Sequence, residues 1–134
     1  MKSVPTIQRY MSTSPYTIGA EQSLRTADNL MREQGIRHLP VLHGNRLVGV
    51  ISNRDVAIIM SLDGVDPDKI TVEDAMTQDV ISVSPDAPLD EVAAMMAERK
   101  AGSVVVEQNH KVVGIFTTVD GMTALVEVLR ARFK

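Results

Sequence analysis

Arg46-Leu47-Val48-Gly49-Val50-Ile51-Ser52-Asn53-Arg54-Asp55 and Lys111-Val112-Val113-Gly114-Ile115-Phe116-Thr117-Thr118-Val119-Asp120 are two versions of one pattern. Each runs from a basic residue through apolar positions and a glycine to Ser or Thr, and closes on Asp three residues later. The two glycines, and the two closing aspartates, stand 65 residues apart. The same offset pairs Thr6 with Thr71, Met11 with Met76, Leu24 with Leu89, Met31 with Met96, Glu33 with Glu98 and Val41 with Val106. It also pairs Tyr16-Thr17-Ile18 with Ile81-Ser82-Val83. Chance matches would scatter over registers, whereas these hold one register from Thr6 to Asp120 without a gap, which is the mark of a duplication.

Each copy has the same plan. A short apolar strand around Tyr16 to Ile18, or Ile81 to Val83, precedes a helix. Leu24, Ala27, Leu30 and Met31 recur at helical spacing, as do Leu89, Val92, Met95 and Met96. Ser23 and Pro88 suit the helix starts, and Gly35 suits the end of the first. Two apolar strands with a tight turn follow, His38 to Leu42 with Leu47 to Ser52, and Ser103 to Glu107 with Lys111 to Thr117. A second helix closes each repeat, from Arg54 to about Met60 and from about Val119 to Arg132. The latter is the longest amphipathic stretch.

The expected fold is therefore mixed α/β (α+β). Tandem βαββα repeats would be related by a pseudo-twofold, with small sheets packed against helices. The division is 1–62 for the first repeat, 63–70 for a linker and 71–134 for the second repeat. A lone unit of this kind has one small sheet with a face to bury, so the two repeats are expected to cooperate as one module.

Bulk properties narrow the function. The chain has 134 residues, 3% aromatics, eight Met and no Cys. The core must be aliphatic, with methionine filling gaps, and disulfides, thiolate metal sites and cysteine nucleophiles are excluded. The net charge of −3 argues against a nucleic-acid surface. The one basic cluster, Arg130, Arg132 and Lys134, suits the negative end of the last helix. No stretch approaches a membrane span and no signal-peptide segment opens the chain, so a cytoplasmic location is expected.

The Ser/Thr-x-x-Asp ending has two readings. Ser52 or Thr117 can accept from the first turn of the following helix while Asp55 or Asp120 reaches back, forming a capping box. The same junction can hold a sugar phosphate. A helix N-terminus favours a phosphate, the carboxylate can accept from vicinal ribose hydroxyls, and the neighbouring glycine permits close backbone approach.

With Gly35-Ile36-Arg37-His38-Leu39-Pro40-Val41 and the two motifs above, the chain resembles the CBS domain pair, or Bateman module, from Thr6 to about Leu129. The resemblance implies a stand-alone regulatory module with a pocket in the cleft between repeats, for AMP, ADP, ATP or S-adenosylmethionine. It needs no cofactor for chemistry. By position, Asp55 and Asp120 would hold ribose hydroxyls, and Ser52 and Thr117 would contact phosphate. The Thr17-Ile18 and Ser82-Val83 backbone would meet the adenine edge, and Leu39-Pro40 and Val104-Val105 would wall the base. Arg37, His38 and Arg54 complete the first set. The second set departs from it, with Gly102-Ser103 in place of Arg37-His38 and Val119 in place of Arg54, leaving Lys100 as a substitute charge. The pocket around Asp55 is therefore expected to favour anionic phosphate. The resemblance also implies a homodimer.

Other chemistry finds no support. His43 and His110 fall in turns, and no two histidines have zinc-ligand spacing. Asp63, Asp66 and Asp68 alternate without completing a calcium loop. No nucleophile elbow, P-loop or dinucleotide motif is present, so no catalytic residue is assigned and an enzyme is not expected. The alternatives are a ligand-free interaction scaffold, an S-adenosylmethionine binder or a nucleic-acid binder.

Overall fold

The computed structural model describes residues 3–133. Lys134 of the basic cluster lies outside the described residues, as do Met1 and Lys2. The strands are β1 (Ser12–Thr13), β2 (Ile18–Gly19), β3 (His38–His43), β4 (Arg46–Ser52), β5 (Ser82–Val83), β6 (Ser103–Gln108) and β7 (Lys111–Thr117). The helices are α1 (Leu24–Gln34), α2 (Asn53–Met60), α3 (Val72–Ala75), α4 (Leu89–Arg99) and α5 (Thr118–Arg132), with a 3-10 turn at Ile7–Arg9. The fold is mixed α and β, with two small sheets. No helix among the described residues is long and apolar enough to cross a membrane.

The chain forms two compact units, Pro15–Val80 and a composite of Met1–Ser14 with Ile81–Lys134. In the first, β3 and β4 form an antiparallel hairpin and β2 joins β3 in parallel. The Ser23 hydroxyl accepts from Thr26 N–H to start α1, and Gly35, in a left-handed conformation (φ 63°), ends it. Leu24, Ala27 and Met31 from α1, Leu39, Val41 and Ile51 from the sheet, and Val56 from α2 make one buried cluster. Full burial of each of the larger side chains stabilises by about 1.5–3 kcal/mol.

The composite unit repeats this plan, with β5 parallel to β6 and β6 antiparallel to β7. Its fourth strand is β1, paired antiparallel with β7 through Ser12 opposite Ile115 and Thr13 opposite Gly114. Ile7, fully buried, joins Val92, Met96, Val104, Val106 and Phe116 in its core.

Sequence repeats and compact units thus divide the chain differently. The segment preceding the first repeat's sheet packs with the second repeat's strands. Its counterpart, Thr71 to Val80, packs within Pro15–Val80, where Val50 and Thr77 exchange two backbone hydrogen bonds of 3.0 and 2.8 Å. The expected linker 63–70 is also built into that unit. Leu24 and Arg25 N–H groups donate to the Ile70 and Pro67 carbonyls, and Arg25 pairs with Asp68 at 2.6 Å.

The two motif glycines are explained by this packing. A Cβ on Gly49 would lie 2.6 Å from Met76 Sδ and 2.7 Å from the Thr77 carbonyl oxygen. One on Gly114 would lie 2.5 Å from Met11 Sδ and 3.0 Å from the Ser12 carbonyl oxygen. The close backbone approach expected for a ligand at these glycines is made by the chain itself.

The long amphipathic α5 packs less than its pattern suggests. Ala124 is its buried residue, whereas Val119, Met122, Leu125, Val126, Val128 and Leu129 are all exposed.

Candidate functional site

In the Pro15–Val80 unit the end of β4 delivers Ser52 to the start of α2. The Ser52 hydroxyl accepts from Asp55 N–H at 3.1 Å, and Asp55 Oδ2 accepts from Ser52 N–H at 2.9 Å. The capping box is therefore complete. Among the described residues Asp55 Oδ1 has no hydrogen-bond partner, so one oxygen of a half-buried carboxylate stays available at the helix N-terminus.

The start of β3 brings Arg37 and His38 to the same junction. His38 stands opposite Ser52 in the β3–β4 register, so their side chains share a face. The Asn53 N–H donates to the Arg37 carbonyl at 2.9 Å, tying this strand start to the helix start. Arg37 and Arg54 are exposed, and Ser52 and Asp55 are half-buried. The backbone thus brings Arg37 and His38 of one strand start beside Ser52, Arg54 and Asp55 of the strand–helix junction. Thr17 and Ile18 lie further along the sheet, with Ile18 opposite Val41 on β3.

The environment of His38 shifts its protonation. Burial lowers its pKa from the ordinary 6.5, and nearby Arg37 adds to the lowering, against an opposing pull from Asp55. A lowered folded-state pKa means the fold favours the neutral ring. That stability is present above pH 6.5 and is lost as pH falls from there toward the folded-state value. Denaturant titrations across this window should show stability falling with acid, and His38→Gln should flatten the slope. An unchanged slope in the variant would assign the acid response elsewhere.

The composite unit repeats the junction with different chemistry. Asp120 Oδ2 accepts from Thr117 N–H at 2.9 Å and the Thr117 hydroxyl accepts from Asp120 N–H at 3.4 Å, again completing a capping box, and that hydroxyl also lies 3.2 Å from Asp120 Oδ2. Asp120 Oδ1 likewise has no partner among the described residues. Ser103 stands opposite Thr117 where the other unit has His38 opposite Ser52. The Gly102 carbonyl accepts from Thr118 N–H at 3.1 Å. On β5 the Ser82 hydroxyl is taken by Glu107 at 2.5 Å, and Val83 pairs with Val106.

Four expected base-walling residues stand apart. Leu39 and Val104 are fully buried in the cores of their own units. Pro40 and Val105 are fully buried as well. None offers side-chain surface to a base as the chain stands. Lys100 and Gly102 line an apolar groove between α4 and α5, which Ser82, Val83, Ser103, Thr117 and Asp120 do not line. Among the described residues no group of three or more His, Asp or Glu is placed to hold a metal.

Comparison with known proteins bears on this arrangement. The CBS domain family model matches residues 7–61 and 72–127. The chain is 32% identical over 120 residues to inosine-5′-monophosphate dehydrogenase of Korarchaeum cryptofilum, covering 89% of this chain and 24% of that enzyme. It thus spans about a quarter of that relative's length. A crystal structure of a putative acetoin utilization protein (AcuB) from Vibrio cholerae superposes with a TM-score of 0.83 at 29% identity, covering 97% of this chain and 96% of that one. The CBS domain pair of protein MJ0100, in complex with 5′-methylthioadenosine and S-adenosyl-L-methionine, gives a TM-score of 0.84 at 28% identity, covering 93% and 98%.

Proposed function

Because the chain belongs to the CBS domain family, we propose that it is a non-catalytic regulatory module that binds an adenosyl ligand at its two strand–helix junctions. One observation carries this reading. In both units a capping aspartate uses Oδ2 for its own helix and leaves Oδ1 without a partner among the described residues. A carboxylate so positioned can accept from ribose hydroxyls, beside N–H groups and a helix dipole that suit phosphate. The bound state of the MJ0100 domain pair supports the adenosyl class.

Within that class the Pro15–Val80 junction takes AMP, ADP or ATP. Arg37 and Arg54 are exposed beside it and supply the charge a phosphate needs. The Asp120 junction has Val119 in place of Arg54, which suits a ligand without phosphate. S-adenosylmethionine is the second reading there, favoured by the same MJ0100 complex.

A thermal-shift series with AMP, ADP, ATP, 5′-methylthioadenosine and S-adenosylmethionine tests the proposal. Ligand at a hundred times its Kd should add about 2.7 kcal/mol to stability. Asp55→Asn should weaken nucleotide binding more than Asp120→Asn does. Asparagine is the better probe because alanine would also remove the helix cap. Failure of all five compounds to bind at millimolar concentration would leave the ligand-free scaffold as the better account.

Self-association belongs to the same proposal. Val119, Met122, Val126, Leu129 and Phe133 follow an alternating three- and four-residue spacing along α5, and every one is exposed, Phe133 at 71%. Such a stripe suits the α5 of a second copy. Sedimentation should give a dimer for the native chain and a monomer for Val126→Glu. A native monomer at high concentration would contradict it.

A further inference from the structure

Given an adenine nucleotide at the Ser52–Asp55 junction, the reading on which this step rests, we propose that His38 couples its binding to the uptake of a proton. A phosphate-bearing ligand is then held more tightly as the solution acidifies.

His38 has the placement this needs. It stands opposite Ser52 in the β3–β4 register and follows Arg37, whose carbonyl is tied to the start of α2. The ring is half-buried, yet no hydrogen bond among the described residues engages either ring nitrogen, and neither nitrogen is sealed from solvent. A neutral imidazole presents one N–H donor and one bare acceptor nitrogen, whereas the charged ring presents two donors. The oxygens of an ionised phosphate only accept. A proton taken from solvent onto the bare nitrogen therefore completes the match.

The free chain keeps that proton off. Burial disfavours the charged ring and the Arg37 guanidinium opposes it as well, while Asp55 pulls the other way. Arg37 acts from the ring's own strand and Asp55 from α2. Arg54, also on α2, is exposed, and β4 contributes the uncharged Ser52. Neither α1 nor β2, also packed on β3, adds a charge to the balance. An arriving phosphate brings negative charge beside a ring so poised and draws the proton in. Arginine stays charged throughout this range, so Arg37 and Arg54 attract phosphate without pH dependence.

The duplication supplies a contrast. Ser103 holds the place of His38, Gly102 that of Arg37 and Val119 that of Arg54, while the capping box is kept. The Asp120 junction thus has the same cap without an imidazole beside it.

Thermodynamic linkage fixes the sign. If phosphate raises the proton affinity of the ring, protonation raises the affinity for phosphate by the same factor. Affinity climbs as pH falls from above the bound-state value toward the free-state value, which lies below the ordinary 6.5, and levels off beneath it.

Calorimetric titration of the full chain and of His38→Gln with AMP and with adenosine, from pH 8 to pH 5.5, reads this coupling. The ratio of native to His38→Gln affinity for AMP cancels the titration of the phosphate itself at about pH 6. It should grow about tenfold on acidification, the factor that one unit of ligand-induced shift supplies. Adenosine, which has no phosphate, should show no such growth. In the native chain, saturating AMP should raise the NMR titration midpoint of the His38 ring and leave those of the exposed His43 and His110 where they are. That measurement needs no variant, so it decides the matter even where His38→Gln folds poorly. AMP binding with an unmoved His38 midpoint would overturn the proton linkage and leave the nucleotide site standing. Equal pH dependence for adenosine would overturn phosphate as the trigger. Failure of AMP to bind at any of these pH values would overturn both.

Discussion

Expressed alone, residues 15–80 should fold cooperatively, whereas residues 81–134 should not. The first fragment carries its whole sheet, its core cluster and the Thr71–Val80 segment that pairs with β4. The second loses the fully buried Ile7 and the β1 partner of β7. It also loses four backbone hydrogen bonds of 2.8 to 3.3 Å, from Ile7 and Gln8 to Ala87 and Pro85, from Leu89 to Pro5 and from Ser14 to Val113. Deleting a buried Ile side chain alone costs about 2–5 kcal/mol, a large share of a small domain's stability. Joining residues 3–14 to 81–134 through a flexible linker in place of 15–80 should restore cooperative unfolding. Circular dichroism with urea titration reads all three fragments. Equal stability of 81–134 with and without its N-terminal segment would refute the composite unit.

Gly49→Val should cost about 3 kcal/mol, and Gly114→Val a similar amount. At Gly49 the first added carbon already falls 2.7 Å from a carbonyl oxygen, too close for any real contact. That carbonyl accepts from Val50 N–H, and Thr77 N–H donates back to Val50 at 2.8 Å. Relief of the clash therefore breaks the bridge. Gly121→Val, with its ordinary 3.7 Å contact, is the matched control and should cost nothing. Chemical denaturation measures the set. A loss under about 0.5 kcal/mol at Gly49 would show that the segment yields without penalty.

These two results bear on how far the sequence can be read. Hydrophobic period, caps and turns are local, and they place α1, β3, β4, α4, β6 and β7 within a residue or two. The Ser23 cap and the Gly35 stop act where the residues alone suggest. The pairing of β1 with β7 is a long-range choice. Ser12-Thr13 and Thr77-Gln78 are equivalent under the 65-residue offset, and nothing local tells which hairpin each will join. The glycines were legible as sites of close approach, but not that the approaching backbone would be the chain's own. At the site, Arg37, His38, Ser52, Arg54 and Asp55 follow from the motif because one strand end and one helix start must meet. Leu39 and Val104 lie buried in their cores, a placement the sequence does not reveal because an apolar strand residue looks alike whether it faces a ligand or the core. The apolar excess of α5 was visible, but its exposure depends on what the fold leaves uncovered.

The central claim, an adenosyl ligand at the capped strand–helix junctions, is tested most directly by backbone amide NMR. The isotope-labelled chain is titrated with AMP and, separately, with S-adenosylmethionine. The account predicts saturable shifts at Asn53, Arg54 and Asp55 with AMP, with Asp55→Asn abolishing them and leaving Thr118, Val119 and Asp120 responsive to S-adenosylmethionine. Shifts absent from both junctions, or confined to the residues lining the α4–α5 groove, would contradict it.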